Sequence, residues 1–295
     1  MQLFVNDLTV IDFSYLCKQR GIVGESWIVD VLLDGSLNEM SMVLDFAVVK
    51  KQIKAIIDDA VDHKLLLPMQ EKSVVLGDSP HHHNHQTIDF ISDIGSYHIQ
   101  SPQCAFAQIN SNTVNIEEVT THLTAIIKAE LPTNVEGLTL GLRPEVMNND
   151  YYHYTHGLKL HDGNCQRIAH GHRSKIQIFI DGLKDTNAEK QWCERWRDIY
   201  IASEADRISA TDVQLSNSAT EYLTPDHQYF SYFAPQGRFD IAVPSNILDV
   251  VDCDSTVELL ADFIVRQLKA MPEYAKKSVK VIAYEGVAKG AIVSG

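Results

Sequence analysis

Three histidines in the second half of the chain have the residue type and spacing of a metal site. His170 and His172 are separated by one residue, so on an extended segment both side chains project from the same face. His156 lies in an upstream segment that is also predicted to be extended, and antiparallel pairing through the loop 159–169 would bring it opposite them. Three histidines with an open fourth position are the usual form of a catalytic zinc site, so we expect a metal here.

Two predicted strands would carry these histidines. The segment 174–180 is rich in β-branched and aromatic residues and ends in Asp181-Gly182, a turn signal. His170 and His172 therefore stand at the entrance to a strand, and the segment 151–158 would be its partner. The thiol of Cys165 falls between the two strands and adds to the metal interpretation.

The composition excludes several classes of protein. A length of 295 residues suits two domains, and charge interrupts every long apolar run, which argues against a membrane protein. The formal net charge of −14 argues against a nucleic-acid partner, whose affinity comes mainly from cations on phosphates. Five cysteines without paired spacing, and an amino terminus without a basic and apolar leader, favour a cytoplasmic protein.

The chain repeats one plan in its two halves. The shape of Gly95-Ser-Tyr-His-Ile-Gln-Ser-Pro102 returns as Gly237-Arg-Phe-Asp-Ile-Ala-Val-Pro244. In each half an amphipathic helix follows, beginning near Thr113 or Thr256, and then a final strand. Two strands open each half, at 8–16 with 27–33 and at 151–158 with 174–180. We therefore expect an α+β fold of two tandem units with antiparallel sheets and helices on one face, divided as 1–145 and 146–295.

Each half also has a helix between its strands. In the first half Asp45 can cap a helix with a buried stripe from Phe46 to Ala60. The second half is less regular, and we expect its counterpart at 192–205.

Each half lacks candidate functional residues that the other half has. Aligning their Asp-Gly turns places His170-Gly171-His172 over Val23-Gly24-Glu25, and His156 over Tyr15, so the first half lacks the imidazoles. The first half instead has Asp62-His63 after its helix. The residues that align with this segment in the second half are 205–208, which include Asp206-Arg207. A carboxylate beside a histidine can relay protons, whereas arginine cannot. The alternative is that Asp62-His63 only closes a helix, with histidine favouring the C-terminal dipole.

At these residues the chain resembles a tandem fusion of two units of the 6-pyruvoyl-tetrahydropterin synthase and 6-carboxytetrahydropterin synthase family. The matching motifs follow one order along nearly the whole chain, although Gly286 stands where the family normally has threonine. They are Met42-Val-Leu-Asp-Phe46, Asp62-His63-Lys-Leu-Leu, Tyr154-Thr-His156, Cys165 with His170-Gly-His172, Ile178-Phe-Ile-Asp-Gly, Thr256-Val-Glu258 and Val281-Ile-Ala-Tyr-Glu285.

The resemblance implies a tunnelling fold (T-fold) and a role for each matched residue. His156, His170 and His172 would bind Zn²⁺, and Cys165 would be the base, with Asp62 and His63 as a relay from a neighbouring unit. Glu285 would hold the pterin ring, and Glu258 is a second candidate substrate ligand. The implied reaction is a lyase reaction on 7,8-dihydroneopterin triphosphate, giving 6-pyruvoyl-tetrahydropterin or the 6-carboxytetrahydropterin of queuosine biosynthesis. Three two-unit chains would complete the family's usual six units.

Two alternatives remain at the level of sequence. The chain could be a non-catalytic T-fold protein that binds a pterin or purine, or, more remotely, a metal hydrolase using His-x-His. Glu258 also has a structural explanation, because Ser255-Thr-Val-Glu258 has the pattern of a capping box.

Overall fold

The computed structural model describes residues 1–36, 46–132, 135–161 and 163–295. The expected helix cap at Asp45, and most of the motif 42–46, lie outside these residues. Among the described residues, no helix is both long and apolar enough to cross a membrane.

Each half begins with an antiparallel pair of strands; the first half ends with a helix and one strand, and the second half ends with a helix and two strands. In the first half the elements are β1 (Gln2–Cys17), β2 (Gly21–Gly35), α1 (Phe46–Ala60), β3 (Leu65–Pro68), β4 (Val74–Asp78), β5 (His85–Ser92), β6 (Gly95–Pro102), β7 (Phe106–Ile109), α2 (Ile116–Glu130) and β8 (Val135–Pro144). In the second half they are β9 (Tyr151–His156), β10 (His170–Ile180), β11 (Leu183–Lys184), α3 (Thr186–Arg195), β12 (Ile199–Ser203), β13 (Arg207–Ile208), β14 (His227–Ala234), β15 (Gly237–Pro244), β16 (Leu248–Val251), α4 (Val257–Ala270), β17 (Val279–Tyr284) and β18 (Gly290–Ser294).

Two sheets have the same plan, one in each half. The first has the order β7-β3-β1-β2-β8, and the second has the order β16-β12-β9-β10-β17-β18 with β11 beside β10. In both, an antiparallel pair is flanked by a short parallel strand on one side and, on the other, by the strand that follows the last helix, β8 or β17. Apolar stripes of α1 and α2 pack on the first sheet, and those of α3 and α4 on the second. The expected α+β fold of two repeated units is confirmed.

A third sheet joins the halves. Its order is β13-β14-β15-β6-β5-β4, and the two repeated segments β6 and β15 pair with each other, Gln100 opposite Asp240. Its apolar side chains, among them Phe90 and Phe239, share a core with Leu65 from the first half and Tyr200 from the second. The sequence revealed the repetition of these strands but not that they pair with one another.

The helix expected at 192–205 is wrong. Helix α3 lies earlier, at Thr186–Arg195, with Asp185 as its N-cap. Asp198 then adopts a φ of 55°, and the segment from Ile199 pairs in parallel with β9. The spacing of Trp192 and Trp196 suits a helix, but the β-branched residues that follow favour the available sheet edge.

Equivalent residues of the two halves contact each other. Ser14 lies opposite Gly24 in the first hairpin, as Thr155 lies opposite Gly171 in the second. The hydroxyls of Ser14 and Thr155 are 2.7 Å apart, and a Cβ added to Gly171 would come within 2.6 Å of Gly24 Cα. The halves therefore face each other across an approximate twofold axis. Both halves keep this glycine because the strands approach too closely for a side chain.

Candidate metal and acid–base site

The three candidate metal ligands lie together at the end of the second sheet. His170 is directly opposite His156 in the antiparallel pair of β9 and β10, and His172 is opposite Tyr154. All three side chains are buried, and one ligand nitrogen from each lies within 4.8 Å of the other two. The predicted pairing through the loop 159–169 is confirmed.

The donor set fits a metal ion. The Nε2 atoms of all three histidines are buried and have no hydrogen-bond partner among the described residues. On the opposite side of the rings, His170 Nδ1 donates to the carbonyl of Arg167 at 3.0 Å, and His156 Nδ1 lies 3.0 Å from Ser255 Oγ. Burial holds the pKa of His156 and of His170 well below the ordinary value, so both are neutral. Three buried and unpartnered nitrogens are costly unless a cation binds them.

Asp12 of the first half supports the third histidine. Its Oδ1 lies 3.2 Å from His172 Nδ1 and accepts a hydrogen bond of 2.5 Å from Ser26 Oγ, while its Oδ2 lies 3.1 Å from Lys289 Nζ. Burial opposes the charge on Asp12, but His172 and Lys289 hold its pKa well below the ordinary value. Carboxylates commonly orient metal-binding histidines from such a position, although Asp12 and His172 lie at an ion-pair distance without hydrogen-bond geometry. Sequence reasoning missed Asp12, because only the contact between the halves gives it a histidine to face.

The predicted relay reaches this cluster from the first half. His63 Nδ1 lies 2.7 Å from Asp62 Oδ2, and the second oxygen of Asp62 accepts from the backbone N–H of Asp12 at 2.8 Å. The His63 ring centroid is 5.2 Å from that of His170, and ligand atoms of His63, Cys165 and His170 lie within 4.8 Å of one another. Burial lowers the pKa of His63, but hydrogen bonds with Asp62 and Cys165 raise it to about 10. His63 is therefore a cation beside the thiol.

The second-half counterpart of Asp62-His63 is not at 205–208. Because Leu65 pairs with Ser14 and Tyr200 with Thr155, the residue equivalent to His63 is Asp198, two positions before Tyr200. Both have positive φ, 52° for His63 and 55° for Asp198. Asp206 instead lies beyond β12 and pairs with Lys159. The alignment failed because the loop lengths before the two parallel strands differ.

The two predicted substrate ligands differ in position. Glu285 Oε1 lies 3.9 Å from His172 Nε2, and its second oxygen is 3.7 Å from Lys289 Nζ. Gly286 follows with a φ of 67°, and a Cβ there would lie 2.4 Å from Asp12 Oδ1, which explains the absence of a larger residue. Glu258, by contrast, is exposed on the first turn of α4.

The expected capping box at Ser255 is wrong. Thr256 is the N-cap of α4, and its side chain accepts from Leu259 N–H. Ser255 is buried and faces His156, and its hydroxyl donates to the carbonyl of Gly157 at 3.1 Å. The residue that resembled a cap thus positions a candidate metal ligand.

Comparisons with known proteins agree with the repeated plan. The family model described as 6-pyruvoyl tetrahydropterin synthase matches residues 13–135 and 145–295. A solved 6-pyruvoyl tetrahydropterin synthase from Plasmodium falciparum is 14% identical with a TM-score of 0.39, covering 48% of this chain and 90% of its own. The Plasmodium vivax synthase is 17% identical with a TM-score of 0.37, covering 48% and 97%. A comparison with curated proteins found no match. The chain belongs to the 6-pyruvoyl tetrahydropterin synthase family, as a tandem of two units.

Proposed function

We propose that the protein is a zinc-dependent carbon–oxygen lyase that acts on 7,8-dihydroneopterin triphosphate. It would release triphosphate and form 6-pyruvoyl-tetrahydropterin, which keeps all three side-chain carbons. Formation of 6-carboxytetrahydropterin would also consume water and release the other two side-chain carbons as acetaldehyde. One observation carries the proposal: three buried imidazoles from the second half lie beside a thiol and an Asp-His pair from the first half. Three histidine nitrogens favour zinc, and the thiol next to them supplies a base.

The residues around the histidines suit proton transfer. When bound, zinc would supply a Lewis acid that polarises the side-chain oxygens of the substrate. The cationic ring of His63 would stabilise the thiolate of Cys165. The thiolate could then take a proton from a substrate side-chain carbon next to those oxygens. His63 would donate its own proton to the developing product, and Asp62 would hold the ring in place at 2.7 Å. Loss of triphosphate would make the overall change favourable.

Glu285 is the proposed anchor for the heterocycle. Its carboxylate borders the histidines, and a planar acceptor suits the paired N–H donors at the pterin edge. Glu258 remains a predicted substrate ligand, and its exposed position on α4 gives it no part in this proton transfer. The unit boundary between 145 and 146, the trimer of chains and the cytoplasmic location also remain predictions.

The decisive experiment is product identification. We expect zinc-loaded protein incubated with 7,8-dihydroneopterin triphosphate to release one triphosphate per pterin, detected by mass spectrometry, and the pterin mass will distinguish pyruvoyl from carboxy product. The Cys165→Ala variant should bind zinc normally and release little triphosphate. Binding of the pterin without triphosphate release by the zinc-loaded wild type would contradict a lyase and favour a non-catalytic binding protein.

A further inference from the structure

Arg167 is a buried cation whose contacts are unusual. Only 5% of the residue is exposed, and among the residues that the structure describes its guanidinium forms no ion pair with a carboxylate. Its NH1 group instead donates to the backbone carbonyls of Asp62 and His63, at 3.1 and 3.3 Å. Taking a guanidinium out of water costs free energy, and the bonds to these two carbonyls offset part of that cost.

These bonds fix a strained loop. His63 has a φ of 52°, a left-handed conformation that costs a non-glycine residue about 1–2 kcal/mol. The backbone N–H of His63 donates to the carbonyl of Asp12 at 2.7 Å, which holds the loop from the first half. Arg167 holds the same loop from the second half, through two carbonyls. The Asp62 side chain therefore stays available to hold the His63 ring, and the ring stays beside Cys165.

The backbone of Arg167 has a second role in the same place. Its carbonyl accepts from His170 Nδ1 at 3.0 Å and so orients a candidate metal ligand. Replacing the side chain leaves that carbonyl in place. The two roles of Arg167 can therefore be separated by mutation.

The equivalent arginine in the first half makes a different contact. Arg20 precedes Gly24 by four residues, as Arg167 precedes Gly171. Arg20 binds the carboxylate of Asp198, the counterpart of His63, at 2.5 and 3.0 Å. Each half thus uses one arginine to hold the loop of the other half, but only Arg167 does so without engaging side chains of that loop.

We propose that Arg167 is a positioning residue that sets His63 against Cys165, an inference that rests on the proposed lyase function. In zinc-loaded Arg167→Gln, we expect kcat to fall about 10- to 100-fold, because small misplacements of a catalytic group have effects of that size. KM and zinc content should stay close to wild type. Arg167→Lys, which keeps a charged donor, should recover part of the loss. Loss of zinc in proportion to activity, or a wild-type kcat in folded protein, would overturn the proposal.

A second measurement needs no substrate. The alkylation rate of Cys165 by iodoacetamide, followed by the mass of its peptide, reports whether the imidazole of His63 still lies against the thiol. We expect Arg167→Gln to slow alkylation about as much as His63→Ala, and the matched control Arg20→Gln to leave it unchanged. If alkylation responds in this way but wild type releases no triphosphate, the lyase proposal fails while the positioning role stands. If wild type is active but Arg167→Gln alkylates at the wild-type rate, the positioning role fails alone.

Discussion

The histidine cluster and its counterpart across the approximate twofold axis are built from equivalent positions with different residues. The positions of His156, His170 and His172 are held in the first half by Tyr15, Val23 and Glu25. The histidine and the carboxylate that face each other across the halves have also changed places. His172 faces Asp12, whereas at the counterpart Glu25 lies 3.9 Å from His153, which occupies the position equivalent to Asp12. The same backbone plan therefore brings three imidazoles and a carboxylate together only where the second half supplies the imidazoles and the first half supplies the carboxylate.

The two sides also differ in how many of their polar side-chain atoms have hydrogen-bond partners within the protein. At the counterpart, Arg20 pairs with Asp198 and donates to the Tyr15 hydroxyl at 3.2 Å, and His153 Nδ1 donates to the carbonyl of Gly24 at 2.7 Å. At the histidine cluster three Nε2 atoms have no partner among the described residues. The polar side chains of the counterpart are therefore paired within the protein, whereas the histidine cluster keeps three nitrogens available to a ligand.

The largest difference between the sides should appear in metal binding. We expect His170→Ala to lose the metal and to lower turnover about 10³-fold or more, because several kcal/mol of charge stabilisation disappears with the ion. The matched control is Tyr15→Phe at the counterpart of His156, which should keep full metal content and activity. Metal content measured by atomic emission, together with triphosphate release, checks both variants. Retention of stoichiometric metal by His170→Ala would show that the histidine cluster is not the metal site and so does not differ from its counterpart in this way.

Replacing the proposed proton relay should give the next largest difference in turnover between the two sides. His63→Ala should keep its metal but lose about 10²–10⁴-fold in turnover, the range expected when a general acid is removed. Asp198→Ala at the counterpart removes the ion pair with Arg20 and should leave turnover unchanged. Full activity of His63→Ala would show that the first half supplies no acid–base group to the site, even if the chain proves to be a lyase.

The sequence predicted how the three histidines come together far better than the contacts that support them. The spacing of His170 and His172, and a strand partner for His156, follow from local patterns, so the register was predicted correctly. Asp12 and Arg167 act through contacts between halves more than 100 residues apart, and neither has a local pattern that marks it. Long-range pairing also decides the third sheet, which the repeat alone could not show.

Two errors have local causes. Ser255-Thr-Val-Glu258 matches a capping box, but Thr256 caps the helix and Ser255 packs against a histidine. The helix expected at 192–205 followed the tryptophan spacing, whereas pairing of Ile199 with Tyr154 determined a strand. In both cases a tertiary contact overrode a pattern of a few residues.

The smallest predicted effect concerns stability at the counterpart. Burial raises the pKa of Glu25 to about 7, although the Ser26 backbone N–H, Arg173 and Arg20 oppose that shift. Folded protein then binds a proton that the unfolded chain releases near pH 4.5. Stability contributed by Glu25 must therefore fall as the pH rises from about 4.5 to about 7, and stay low above it. Burial lowers the pKa of neighbouring His153 to about 4, which gives the opposite slope and masks the effect in wild type.

Glu25→Gln removes one of these opposing slopes and leaves the other. The variant should match wild type near pH 4 and exceed it at pH 8 by about 1–3 kcal/mol in free energy of unfolding. Urea unfolding of metal-free protein at both pH values checks this, since metal release in acid then plays no part. Turnover of the zinc-loaded variant should be unchanged, because Glu25 belongs to the counterpart and not to the histidine cluster. An equal difference at pH 4 and pH 8 would mean that Glu25 titrates as an ordinary carboxylate, and that its burial against His153 is not what distinguishes this side.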